Sequence, residues 1–164
     1  MRGPNDDADD GEGDTPDVMR VQIAKLHPAA RMPTYATDGS GAFDLYAAED
    51  ILVWTAQEQA SLVNTGLSFA VPAGHALLLF ARSGNASKRG IRPANCVGVV
   101  DADYRGPVMV PLVSDHPLED GMLVKAGDRI AQGMVVPAPR VVFDMVLFLS
   151  PTERGAGGFG STGA

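Results

Sequence analysis

The chain has 164 residues and a formal charge of −7, enough for one domain of ordinary size and too few for two comfortable ones. A single cysteine, Cys96, excludes an internal disulfide and a cysteine-built metal cluster within one chain, which fits a reducing, cytoplasmic setting. No apolar run approaches the roughly 18 residues of a membrane span, and the acidic, polar start argues against a secretion signal.

Residues 1–17, MRGPNDDADDGEGDTPD, hold seven acids against one arginine, while the remainder holds 13 acids against 12 Lys and Arg. The acidity is a leader without apolar pattern, expected to be disordered, and the near-neutral body carries no basic stripe for duplex nucleic acid. From Val18 the chain reads as short strands separated by turn residues: VQIAKL, the alternating part of GSGAFDLYAA, DILVW, and two strands in ASLVNTGLSFAVPAG. HALLLFARSG carries a strand to Arg82, with a single helical turn expected in 84–90. A hairpin is predicted over 95–113, its arms apolar and buried, its tip holding Asp101, Asp103 and Tyr104. GMLVKAGDRIAQGMVVP and RVVFDMVLFLS supply the last strands.

Short apolar runs between Gly, Pro, Asn and Asp, with no three-turn amphipathic helix, predict an all-β sandwich or barrel over 18–149. Aromatics are few, so Val, Leu, Ile, Ala and Met are expected to build the core, with Cys96 filling a small buried volume. Residues 150–164, SPTERGAGGFGSTGA, hold five glycines and predict a mobile arm. Arg154 and Phe159 are residues a plain linker does not need; an arm closing over a ligand can grip anionic oxygens with one and stack the other on a flat ring.

Several polar residues interrupt apolar strands, where an unpaired charge is costly. Asp44, inside FDLYA, suits either a metal-bound water or the tethering of a neighbouring loop. Arg82-Ser83-Gly84 offers a guanidinium fork, a hydroxyl and backbone N–H groups for phosphate oxygens, though an ordinary solvated loop start can carry the same tripeptide. Gln132 in GDRIAQ is a further donor, with Asp128 and Arg129 read as surface charges at a turn. The Asn95 amide and neighbouring backbone suit a pyrimidine edge, Asp101 can hold and deprotonate a water, and Asp103 suits turn formation. The Tyr104 ring suits packing against a sugar and equally an ordinary surface turn. His27, His75 and His116 have no zinc spacing, so any metal is expected to be a hard ion carried in with phosphates.

In series, GSGAFDLYA, ARSGNASKRGI, NCVGVVDADYRGPV, AGDRIAQ and RGAGGFGSTG resemble the motifs of the trimeric deoxyuridine triphosphatases, in order, over roughly Val18–Gly163. The resemblance implies a jelly-roll-like β-barrel or sandwich assembled as a homotrimer, with active sites at subunit junctions and dUTP hydrolysed to dUMP and pyrophosphate with Mg2+. It implies Asp101 as the base for the attacking water, and Asn95 with the backbone near Val99 and Val100 as readers of uracil. Tyr104 matches the ring under the deoxyribose that crowds out a 2′-hydroxyl, and Met109 a nucleotide contact. Arg82, Ser83, Gly84 and Gln132 match phosphate contacts, and Asp44 an acid linked to the metal through water. In the arm, Arg154 matches a phosphate grip, Phe159 the uracil stack, and Ser161 and Thr162 phosphate contacts.

The chain departs from the pattern at Asn85, usually apolar, at Ala81, often proline, at Ala156, often glutamate, and at Ser114, near a usual asparagine. Two rivals share the resemblance: a deoxycytidine triphosphate deaminase, which wants a glutamate placed for deamination, and a nucleotide-gated regulatory protein using the acidic leader. DADY with the glycine-rich arm favours phosphate hydrolysis.

Overall fold

A computed structural model of the chain describes residues 18–56, 59–116 and 121–158; the expected leader 1–17 and the arm residues Phe159, Ser161 and Thr162 lie outside the described residues. The described chain is all-β with one short helix. In order come β1 (Gln22–Lys25), β2 (Phe43–Tyr46), β3 (Ile51–Val53), β4 (Ser61–Asn64), β5 (Leu67–Ala70), β6 (His75–Phe80) and the helix α1 (Ser83–Arg89). They are followed by β7 (Ile91–Pro93), β8 (Gly98–Val100), β9 (Met109–Ser114), β10 (Met122–Val124) and β11 (Arg129–Pro137). The strands form a four-stranded sheet β2-β11-β6-β8, a three-stranded sheet β4-β9-β7, and the pairs β1-β5 and β3-β10, with every ladder antiparallel.

Strand alternation buries one face against the core. In β9 the buried Val110 and Leu112 flank the half-buried Pro111, and in β8 Gly98 and Val100 are buried while Val99 faces out. Leu45, Val63, Leu67, Phe69, Leu77 and Leu112 are among the core side chains. Val, Leu, Ile and Ala build most of the core as expected, but none of the described methionines is buried and Met122 packs against it only partly buried; Phe43 and Phe69, their rings stacked at 6.4 Å, are buried there too.

Three expectations are corrected. The 95–113 stretch is no hairpin: β8 pairs with β6 and β9 pairs with β4 and β7, so residues 101–108 cross between two sheets. Cys96 does not fill a core volume; it is exposed, in a left-handed turn at φ 61°. RVVFDMVLFLS forms no strand, because no edge among the described residues pairs with it, and Phe143, Leu147 and Phe148 stand about nine-tenths exposed.

Candidate functional site

Two clusters of polar residues stand out, at opposite ends of β6. The first is a cleft of about 230 Å³ where β8 ends and β9 begins, lined by Val99, Val100, Asp101, Tyr104, Pro107, Val108 and Met109. Val100 and Val108 form its buried floor, while Asp101, Tyr104 and Met109 stand exposed at its rim. β8 is the terminal strand of its sheet, so one edge of its backbone is unpaired and free to meet a ligand. Gly98 permits the close packing: a Cβ there would lie 3.1 Å from Leu79 Cβ on β6.

Asp101 is therefore not a buried charge, and the desolvation argument from sequence does not apply to it in this chain. It is an exposed carboxylate whose backbone carbonyl accepts from the Tyr104 N–H at 3.2 Å, turning the chain across the cleft mouth. The Tyr104 hydroxyl donates to the Pro107 carbonyl at 3.0 Å. Asp103 is exposed and its carboxylate holds no backbone N–H among the described residues, unlike the turn role expected. Asn95, in the turn before β8, is exposed and is not part of the cleft wall.

The second cluster is built on a buried carboxylate. Asp44 on β2, 3% exposed, accepts from Arg82 Nε at 2.7 Å through Oδ1 and from Arg129 Nη1 at 3.3 Å through Oδ2. Arg82 follows β6 in an extended conformation and starts α1, placing Ser83 and Gly84 exposed in the first turn, where a helix leaves its N–H groups unpaired. Gln132 on β11 sits directly opposite Asp44 on one side and Phe80 on the other. A register shift between Arg129 and Ala131 re-aims Arg129 toward Asp44.

Arg129 was missed as a site residue by local pattern, which offers no signal for a partner 85 positions away. Asn85, the departure in the loop, is buried and donates Nδ2 to the Arg129 carbonyl at 2.9 Å, so the amide ties α1 to β11 where an apolar side chain could only pack. Ser114 is fully buried, its hydroxyl bridging to the backbone of His116. Asp115 beside it holds Arg92 above the ordinary guanidinium value by hydrogen bond and charge, on the exposed surface.

No group of three or more His, Cys, Asp or Glu that could cage a metal occurs among the described residues. Both oxygens of Asp44 are engaged by guanidiniums, so a metal-bound water would have to share them. This donor set suits an ion that arrives on phosphates and keeps most of its water shell.

The two clusters lie apart within the described chain. β6 and β8 run antiparallel with Leu77 opposite Val100, which sets Asp101 near Ala76, at the far end of the strand from Arg82. The separation along the strand is roughly 20 Å at about 3.4 Å per residue. In the arm, Arg154 Nε donates to the Gly157 carbonyl at 2.9 Å, a local turn that leaves its other guanidinium nitrogens for a ligand.

The same architecture recurs in known proteins. The chain is 42% identical over 146 residues to the deoxyuridine 5′-triphosphate nucleotidohydrolase of Thermobifida fusca, covering 89% of this chain and 80% of that one. It is 39% identical to that of Nautilia profundicola, covering 88% and 99%. Among solved structures it superposes on the dUTPase of Staphylococcus bacteriophage 80alpha with dUPNHPP at a TM-score of 0.77 and 26% identity, covering 90% of this chain and all of that one. A mutant dUTPase from phage phi11 of S. aureus, described with a structural Mg(II) ion, shares the fold at a TM-score of 0.69 and 20% identity. The dUTPase family model matches residues 29–163, from before β2 through the glycine-rich arm, and the chain belongs to the dUTPase family.

Proposed function

We propose that the protein hydrolyses dUTP to dUMP and pyrophosphate in a site shared between the subunits of a homotrimer. The observation that carries this reading is the cleft: Val99, Val100, Asp101, Tyr104 and Met109 surround one space. At about 230 Å³ it is smaller than the roughly 300–1,000 Å³ typical of drug-sized sites, and it suits the nucleoside part of a nucleotide. The unpaired edge of β8 can pair with the uracil edge. The Tyr104 ring lies against the deoxyribose. Asp101 takes the proton of a water attacking the α-phosphorus.

Arg82, held by Asp44, grips the phosphates with its remaining nitrogens, assisted by Ser83, Gly84 and Gln132. Magnesium bound on the triphosphate supplies charge neutralisation and fixed phosphate geometry there. Arg154 of the arm closes on the phosphates, with Phe159 over the base, excluding bulk water. Because Asp101 and Arg82 lie at opposite ends of β6, a second copy must bring its cleft to the phosphate cluster. The product is dUMP, so the reaction limits uracil entry into DNA and supplies the thymidylate precursor. No helix among the described residues is long and apolar enough to cross a membrane. The single cysteine, Cys96, fits a reducing, cytoplasmic setting.

Two surfaces support assembly. Val141–Leu149 exposes a run of large apolar side chains, more than a soluble monomer leaves uncovered. An apolar groove of about 580 Å³, walled by Val21, Ile23, Phe43, Phe69 and Met134, offers a matching surface. Replacing Phe143 and Leu147 together by Asp is expected to convert a trimer into monomers in sedimentation and to remove most dUTP turnover. A double variant that stays trimeric would show that this segment is not the interface.

The activity test is pyrophosphate release with magnesium from dUTP, dCTP, dTTP and UTP at equal concentration. Release from dUTP alone is expected. Ammonia from dCTP would establish a deaminase, and dUTP binding without turnover would establish a switch.

A further inference from the structure

We infer that Gly106 determines sugar specificity by seating the Tyr104 ring at the cleft mouth; the inference rests on the proposed reading of Tyr104 as the wall under the deoxyribose. A Cβ on Gly106 would lie 2.6 Å from Tyr104 Cζ and 3.0 Å from Cε2, with the hydroxyl oxygen closer still. Real side chains do not approach so closely. Gly106 is not among the glycines in the left-handed region, so its backbone does not demand glycine. The ring does.

The ring is pinned from above and the loop from below. The Tyr104 hydroxyl donates to the Pro107 carbonyl, which keeps the phenol folded over the 104–107 backbone. Beneath it, the buried Ser68 hydroxyl donates to the Arg105 carbonyl at 2.7 Å, and the Thr65 hydroxyl to the Val108 carbonyl at 2.7 Å. The Arg105 guanidinium donates to the Ala102 and Tyr104 carbonyls at 2.7 and 2.8 Å. Ser68 and Thr65 are core residues, so the loop cannot slide away to admit a methyl group. The ring must move instead, and Tyr104, Pro107 and Val108 all line the cleft that holds Asp101. Gly106 is thus a positioning residue: it touches no substrate and acts through Tyr104.

The test is a double-mutant cycle on the ratio of kcat/KM for dUTP to that for UTP, using the full chain. Gly106→Ala is expected to lower this ratio about tenfold, half in free energy of the roughly hundredfold that a pocket wall supplies against one added hydroxyl. In a Tyr104→Ala background the same change should leave the ratio unaltered, because the three atoms nearest that Cβ all belong to the Tyr104 side chain. Independent, multiplying effects in the double variant would overturn the role of Gly106, as would an unchanged ratio in Gly106→Ala. If Gly106→Ala fails to fold, recovery of folding in Gly106→Ala with Tyr104→Ala supports the proposal, and failure of both overturns it. A parent that does not hydrolyse dUTP overturns the underlying functional reading instead.

Discussion

Asp101→Asn should lower pyrophosphate release from dUTP by about 10³-fold, within the 10²–10⁴ range of a positioned general base. The amide keeps the shape of the carboxylate but cannot accept a proton from water at neutral pH. Asp101 is exposed at the cleft rim and its side chain supports no buried partner, so the variant should fold, assemble and bind dUTP as the parent does. The measurement is single-turnover release beside equilibrium binding of a non-hydrolysable dUTP analogue. A rate within tenfold of the parent would remove Asp101 from the chemistry. Loss of binding together with rate would assign it to substrate capture.

The second large effect belongs to Asp44→Ala. Removing the carboxylate leaves Arg82, mostly buried, and Arg129 facing each other without a counter-charge. Breaking such a pair by deleting one partner costs about 3 kcal/mol or more, and here it also frees the Arg82 fork that the phosphates need. Denaturant unfolding should show that loss, and KM for dUTP should rise at least tenfold by the same loss of orientation. Asp44→Asn keeps an acceptor for one guanidinium and should recover about half of the stability. Raising the magnesium concentration should not restore the Asp44→Ala rate. A rate restored by magnesium would return Asp44 to a metal-linked role, and unfolding like that of the parent would show that the pair carries no stability.

Much of this was legible in one dimension. The strands β1 to β6 fall inside the predicted apolar runs because alternation and turn residues are local signals. α1 overlaps the turn expected at 84–90 but lies one residue earlier, starting at Ser83 and ending at Arg89 before the left-handed Gly90. The hairpin expectation failed because adjacency in sequence was taken for pairing: β8 and β9 are neighbours along the chain but belong to different sheets. RVVFDMVLFLS has a strand's composition, yet a strand exists only where a partner edge supplies its hydrogen bonds, and none pairs with it among the described residues.

The same boundary runs through the site. The sequence by itself determined the residue types and their order, from Asp44 and Arg82 through Asp101 to Gln132 and the arm, because each motif is a few residues long. It also determined the all-β class. Only the tertiary structure decided what those residues touch: that Asp44 serves two arginines 38 and 85 positions away, and that Tyr104 rests on the absent side chain of Gly106. Only the register of β6 and β8 separated the cleft from the cluster of Asp44, Arg82 and Arg129. Short-range pattern is set by side-chain period and turn chemistry, whereas contacts between distant segments depend on how sheets pair and pack, and no local window contains that information.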